Sequence, residues 1–307
     1  MRIKNILALL ITIWLLSGVA GCGSTDELTP FTDEYGNLEF GTEETLDIVT
    51  WNLKVFPLNS QTISHLVSII PQMKVDIIAF QEIMDASAFY DLANQIPYYN
   101  AYIYSATTSY RLAYLYDTRT ITVNQDYTLF TGQTNPFPRA PYVLDVNFAG
   151  QNYLVINNHF KALGDNFIDE TDEDDEEMRR RLASEMLEAH ISQNMSNEWV
   201  VVLGDLNDQI HEPVETNVFM AFLSKPEDYL FTTMPIALNP TIYTVSYPGY
   251  NSQIDHILIT NELFDDFDAA GNVCRVIRVE NYFGGLNGYY TQLSDHRPVG
   301  IRLKKPE

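Results

Sequence analysis

The chain has 307 residues, 46% hydrophobic and 19% charged, which is enough apolar material for a sizeable core and too evenly mixed for collagen or low-complexity disorder. Eighteen basic against 41 acidic residues give a net charge of −23, which excludes the broad cationic surface that sequence-independent nucleic-acid binders rely on, though not a compact local site. Two cysteines, Cys22 and Cys274, exclude a disulfide framework.

Residues 1–21 read as a secretory signal: Arg2 and Lys4, then an apolar run from Ile6 to Leu16, then small residues up to Gly21. The run is short for a spanning helix. Val19-Ala20-Gly21-Cys22 resembles the bacterial lipobox, with cleavage before Cys22 and lipid on its sulfur. That implies a lipid anchor in the bacterial envelope, and Gly23 after the cysteine resembles outer-membrane sorting. Cleavage removes Arg2 and Lys4 and moves the net charge to −25. Residues 22–44 are polar, acidic and without hydrophobic period, as expected of a tether. Residues 45–307 carry the domain.

Leu46–Asn52 and Val75–Phe80 are strand-like, and between them Ile63, Leu66, Val67, Ile70 and Met73 fall at helical spacing. A helix is expected over Ser87–Ile96. Consecutive strands are expected at Leu112–Tyr116, Thr120–Leu129, Tyr142–Phe148 and Tyr153–Asn158. Residues 165–177 hold nine acids, read as a solvated loop, followed by Arg179, Arg180 and Arg181, which can pair with those acids or face a phosphate. Arg181–Asn194 predicts a helix. Trp199–Leu203, Ile254–Ile259, Val273–Val279 and Val299–Leu303 predict strands. Strand runs mixed with strand–helix units point to a layered α/β or α+β sandwich. No glycine-rich loop opens a helix, so no nucleotide cofactor is expected.

The ionisable and amide residues fall where these strands end. Asn52 ends the first strand. Gln81-Glu82 follows VDIIAF, and His159 follows Asn157-Asn158. Gly204-Asp205-Leu206-Asn207-Asp208 follows an apolar run, Asp255 opens another strand, and Ser294-Asp295-His296-Arg297-Pro298 precedes the last. Singly, each reads as a solvated strand end or a turn. In this order they resemble the endonuclease/exonuclease/phosphatase superfamily, the pancreatic-deoxyribonuclease-like phosphoesterases, over about residues 46–303. The resemblance implies a four-layer α/β (α+β) sandwich, two mixed β-sheets face to face with helices outside, and an active site at one edge.

It also implies roles. Glu82 matches the Mg²⁺-binding glutamate, with Asp295 and Asn52 near the metal. Asp205 matches the residue that orients or deprotonates the attacking water. Asn207, Asn52 and His159 match groups that contact the phosphate. His296 matches the histidine at the scissile phosphate, and Asp255 the acid that fixes and charges it. Mg²⁺ is the cofactor implied, with Mn²⁺ as an alternative, and a structural Ca²⁺ is a further option. The deoxyribonuclease branch carries a glutamate just before the strand matching Leu112–Tyr116. Here the stretch is Ser109-Tyr110-Arg111, so the partner acid of His159 is missing or elsewhere. Arg111 reads as solvated more readily than as a phosphate contact.

His256 follows Asp255 on a strand and is expected to face the other way, as a structural residue. His65, His190 and His211 match no motif. Tyr282-Phe283 and Tyr289-Tyr290 could stack on bases, touch lipid or pack a loop. The residues are compatible with two function classes: a lipid-anchored Mg²⁺-dependent phosphoesterase, and a binding lipoprotein on the same fold. Presence of all the acids favours the enzyme. Its substrate is expected to be nucleic acid, because of His159, with phospholipid or a small phosphoester as the alternative.

Overall fold

The computed structural model describes residues 38–105 and 109–306. The expected signal segment, Cys22 and most of the tether lie outside the described residues. In chain order the elements are β1 (Thr45–Phe56), α1 (Thr62–Met73), β2 (Ile77–Ile83), α2 (Ala86–Gln95), β3 (Tyr99–Ile103), β4 (Arg111–Asp117), β5 (Ile121–Thr128), β6 (Tyr142–Phe148) and β7 (Gln151–His159). They continue with α3 (Glu176–Asn194), β8 (Val200–Asp205), α4 (Met220–Leu223), β9 (Tyr229–Phe231), α5 (Met234–Leu238), β10 (Asp255–Thr260), α6 (Phe264–Ala269), β11 (Cys274–Val276), α7 (Leu286–Gln292) and β12 (Val299–Lys304).

Two six-stranded mixed sheets result, ordered β11-β12-β1-β2-β4-β3 and β5-β6-β7-β8-β10-β9. The central strands are buried on both faces, which is why they read as unbroken apolar runs. Successive residues serve opposite layers. Ile48 and Ile77 meet Leu144, Val155, Val201 and Ile257 between the sheets. Val49 and Ile78 pack outward with Leu66, Ile69 and Leu92 of α1 and α2. On the far side Ile156, Val202 and Leu258 pack with Ala183, Leu187 and Ile191 of α3. The order is helix, sheet, sheet, helix. Among the described residues no helix is long and apolar enough to cross a membrane.

Asp85 and Asp175 cap α2 and α3 by accepting from Ala88 N and Met178 N. α3 starts five residues earlier than its apolar period suggested, because its first two turns bury charge instead of hydrocarbon. Arg180 is buried, paired with Glu177 at 3.1 Å and Asp208 at 2.7 Å, and its Nη1 donates to the carbonyls of Lys161 and Leu163. Arg179 donates to Asn135 O, and Arg181 pairs with Glu170 and Glu185. Of the two roles open to the arginine run, the structure shows pairing. β3 and β9 were not among the expected strands, because their residues, YNAYI and YLF, are too few to show a period.

At the opposite end of the sheet from the strand-end motifs, Asp47 and Asp76 are buried side by side. Asp76 Oδ2 accepts from Asp47 N at 2.8 Å. Burial pushes Asp47 up to about 7 and Asp76 up to about 6, with their mutual repulsion adding to the Asp47 shift. A carboxyl raised in the folded state binds its proton more tightly folded than unfolded, so its contribution is complete below about pH 4. That contribution is lost as pH rises through about 6 to 7. Asp47→Asn is therefore expected to flatten this loss. Denaturant unfolding at pH 5 and pH 8 should show the variant gaining on the wild type by on the order of 3 kcal/mol at the higher pH. A gain independent of pH would show that the carboxyl is not held protonated.

Candidate active site

The topology explains why distant motifs meet. β1 and β2 run parallel, and so do β7 and β8, so each pair ends on the same edge. Asn52 lies opposite Gln81, and His159 opposite Asp205. The antiparallel strands begin where the parallel ones finish: Asp255 of β10 lies opposite Asp205, and β12 starts three residues after His296. Beneath this edge the two sheets are pinned together. Gln81 Nε2 donates to Asn157 Oδ1 at 2.7 Å, and Asn157 Nδ2 donates to the carbonyls of Phe80 and Ala113. Tyr114 Oη bridges to the carbonyls of Tyr142 and Val155 in the facing sheet. The amides beside Glu82 and His159 thus set the relative height of the strands that carry them.

Three of the motif residues sit on costly backbone. Glu82 and Asn207 have φ of +63° and +55°, and Gly204 has φ of +140°. A Cβ on Gly204 would lie 2.0 Å from Asn158 O, so only glycine lets β8 approach β7 there. The ladder beside Glu82 is irregular between Phe80 and Ile83, which turns its side chain out of the sheet. Strain of this kind is retained where the surrounding structure holds a functional group in place.

The side chains converge on an open cleft of about 530 Å³, lined by Lys54, Glu82, Tyr110, His159, Asp205, Asn207, Tyr247, Tyr250, Asp295 and His296 among others. His296 Nδ1 is 2.8 Å from Asp255 Oδ2, which leaves Nε2 facing Asp205 Oδ2 at 3.9 Å. Asn52 Nδ2 donates to Asp205 Oδ2 at 2.9 Å and to Glu82 Oε1 at 3.3 Å. Glu82 Oε2 accepts from Val55 N, and Asp205 Oδ1 from Asn207 N. Asn207 Nδ2 turns to Phe160 O at 3.3 Å. Asp295 is paired with Lys54 at 2.9 Å. His159 Nε2 lies 3.6 Å from Asp205 and 3.9 Å from Glu82, while its buried Nδ1 has no partner among the described residues. No described residue supplies a partner acid at Nδ1 of His159 in place of the one missing from the sequence before β4.

The two histidines differ in charge. Burial alone would push His296 down, but Asp255 and Asp205 outweigh it and hold the imidazole up at about 10. His159 goes the other way: burial, Arg139 and His296 hold it well below the usual histidine range, so it is neutral. Burial pushes Asp205 up to about 7, with Asp255 and Glu82 adding to the rise and His296 opposing it. An acid held near neutrality beside an imidazolium suits proton transfer to or from water. Asp205, Asp255 and His296 can bring ligand atoms within 4.8 Å of one another. With His296 held as a cation and engaged with Asp255, the groups that fit a metal are the oxygens of Glu82, Asp205, Asp295 and Asn52, a hard set that suits a divalent cation such as Mg²⁺ better than a soft metal.

The amino-acid pattern did not point to Arg139, Tyr247 or Tyr250. Arg139 lies over the Tyr110 ring at 5.1 Å and makes no hydrogen bond or ion pair among the described residues. Burial lowers its pKa, while Glu82 and Asp205 raise it. No motif marks it, because it sits in the loop between β5 and β6. Arg111 is structural: its Nη1 donates to Met84 O at 2.7 Å. His256 is structural too, bonded to Thr233 Oγ1 and Asp208 O at 2.9 Å each. Tyr289 packs the loop, with Trp51 Nε1 donating to its hydroxyl, which in turn donates to His296 O. His65, His190 and His211 are outside the cleft lining.

A family model described as "Endonuclease/Exonuclease/phosphatase family" matches residues 49–296. The chain belongs to this family. Its members are hydrolases of phosphate esters that typically use a divalent metal, and this chain is a phosphoesterase of that family. Among solved structures, the endonuclease/exonuclease/phosphatase from Bacteroides vulgatus is 14% identical over 85% of this chain and 99% of its own, with a TM-score of 0.61. D. rerio TDP2 complexed with single strand DNA product is 13% identical over 85% and 99%, with a TM-score of 0.61. The human Nocturnin catalytic domain with bound sulfate anion is 15% identical over 85% and 95%, with a TM-score of 0.58. Likeness at this identity is likeness of fold. Among curated protein sequences none matches this chain.

Proposed function

We propose that this family phosphoesterase is a Mg²⁺-dependent hydrolase of phosphodiesters, acting on nucleic acid. The observation that carries it is the Asp205–His296–Asp255 cluster beside Glu82 in an open cleft. Asp205 takes the proton of the attacking water, oriented by the amides of Asn52 and Asn207. His296, fixed through Nδ1 by Asp255, turns Nε2–H to a phosphoryl oxygen whose charge grows in the transition state. Asn207 and neutral His159 are further hydrogen-bonding groups for the phosphate. Glu82, with Asp295 and Asn52, would hold the cation, which would supply Lewis-acid stabilisation of the phosphate charge. Mn²⁺ fits the same oxygen ligands. Arg139, free of any carboxylate partner among the described residues, is the cation left for a substrate phosphate. Asp175, Glu176 and Glu177 cluster at the start of α3, but Asp175 caps Met178, Glu176 pairs with Lys161 and Glu177 with Arg180, so they are not proposed as a Ca²⁺ site. The single strand DNA product of the D. rerio TDP2 complex supports a nucleic-acid substrate by analogy of fold.

The charge of the protein makes the test specific. An acidic molecule repels a polyanion at long range, and salt screens that repulsion. Initial rates on duplex DNA and single-stranded RNA at fixed Mg²⁺ are therefore expected to rise through moderate salt, opposite to the fall seen for a basic binder. A small phosphodiester should show little response, and chelation with EDTA should abolish every rate. Release from phospholipid vesicles or the small ester without cleavage of nucleic acid would overturn the substrate and keep the phosphoesterase.

The lipid anchor is proposed on Val19-Ala20-Gly21-Cys22, which together with the preceding signal supports a lipoprotein of the bacterial envelope, sorted to the outer membrane. Labelled palmitate is expected in the wild type and not in Cys22→Ser, which should be soluble. Equal labelling of both would remove the anchor.

A further inference from the structure

One wall of the cleft is a stack of rings. Tyr247 lies against His296 with centroids 4.5 Å apart and planes at 28°. Tyr250 lies against the far side of that pair, 5.1 Å from Tyr247 at 15°. Tyr250 is 76% exposed, yet it lines the same cleft as Asp205 and His296. Three other exposed tyrosines carry a cation on the ring: Tyr98 lies under Arg119, Tyr110 under Arg139 and Tyr243 under Arg278. Tyr250 has neither a cation nor a second ring among the described residues, so one face of its ring is open.

The turn that presents it is closed. Tyr247 and Ser252 exchange two backbone hydrogen bonds, at 3.0 and 3.2 Å, around Pro248–Tyr250. Ser246 O accepts from Arg297 N, and Ser246 N donates to Gln253 Oε1 at 2.9 Å. The ring is held before any ligand arrives, so little ordering entropy opposes binding. We propose that Tyr250, backed by Tyr247, is the stacking platform for the nucleobase next to the phosphate in the cleft. It is a specificity-determining residue for the reaction, and this rests on the nucleic-acid reading above. Stacking on a neutral ring needs no positive charge, and so gives an acidic protein affinity that its few free cations cannot. A flat open ring face also suits a planar base better than a flexible acyl chain.

Base–aromatic stacking contributes about 1–3 kcal/mol, so the full-length wild type with Mg²⁺ should bind adenosine 5′-monophosphate about 5- to 150-fold more tightly than ribose 5-phosphate. Titration calorimetry reads both. Tyr250→Ala should erase the preference, and Tyr250→Phe, which keeps the ring, should retain it. A wild type that binds the two equally, or binds neither, overturns the proposal, as does a Tyr250→Ala protein with the preference intact. Hydrolysis of a small phosphodiester that carries no base is measured in parallel. Its failure would sink the phosphodiesterase reading, while the binding preference still reports on the stack.

Discussion

Asp205→Asn and His296→Ala are each expected to lower turnover by about two to four orders of magnitude, the range by which a positioned acid or base accelerates such a step. In Asp205→Asn the side chain keeps its shape and its one oxygen can still accept from Asn52 Nδ2 or from Asn207 N, but the amide nitrogen that replaces the other oxygen cannot accept, and the group cannot take a proton. His296→Ala removes the only imidazole that the structure holds charged in the cleft, since His159 is buried neutral. The two changes should separate in stability. Asp205 is a buried carboxyl raised to about 7 chiefly by burial, so its amide replacement removes a costly buried charge and should lower the melting temperature less than His296→Ala does. His296→Ala strands Asp255, whose Oδ1 already has no partner among the described residues, and should cost stability as well as rate. Single-turnover rates on a small phosphodiester, with circular dichroism melts of the same preparations, check both. Turnover of Asp205→Asn within about tenfold of wild type would remove Asp205 from the chemistry.

Arg297→Ala is expected to be the most damaging single change to the fold around the site. The guanidinium is fully buried. Its Nη2 and Nε meet the two oxygens of Glu280 at 2.7 and 3.0 Å, and its Nη1 donates to Ile242 O and Val245 O. Truncation leaves Glu280 without its bidentate partner and two loop carbonyls unpaired. Removing one member of such a buried pair costs about 3–5 kcal/mol, or roughly 6–20 °C in melting temperature for a domain of this size. The loop it releases carries Tyr247, so turnover should fall too, without loss of any group that touches phosphate. Arg297→Met with Glu280→Gln should lose less than Arg297→Ala alone, because no buried carboxylate is then stranded, although Arg278 gives up its 2.9 Å pair with Glu280. A melt of Arg297→Ala within about 2 °C of wild type would show that the pair is not holding the loop.

Much of this molecule was legible in its amino-acid order. The central strands β2, β4, β7, β8 and β10 are buried on both faces and announce themselves as apolar runs, while β6 and β12 show alternation, with Asp145, Asn147, Arg302 and Lys304 on the less buried face. The short edge strands β3 and β9 bury too few residues to show a period. The first turns of α3 hide from a hydrophobic count because Glu177 and Arg180 are buried as a charge pair with Asp208. The candidate site was legible as residue types at strand ends, because side chains that must stay polar cannot continue an apolar run.

Which of those polar residues meet was decided by tertiary structure. Parallel pairing of β1 with β2 and of β7 with β8 puts four strand ends on one edge. The Gln81–Asn157 hydrogen bond holds the two sheets at one height, and antiparallel β10 and β12 deliver Asp255 and His296 from the other direction. Charge state was decided there as well. His159 and His296 are the same residue type near the same acids, yet one is held neutral by burial, Arg139 and His296, and the other is held charged by contact with Asp255. A sequence contains residue types and separations along the chain, whereas desolvation and Coulomb interaction depend on distance in space. For the same reason Arg139, Tyr247 and Tyr250, which carry no motif, became visible only once the loops that bear them were folded against the cleft.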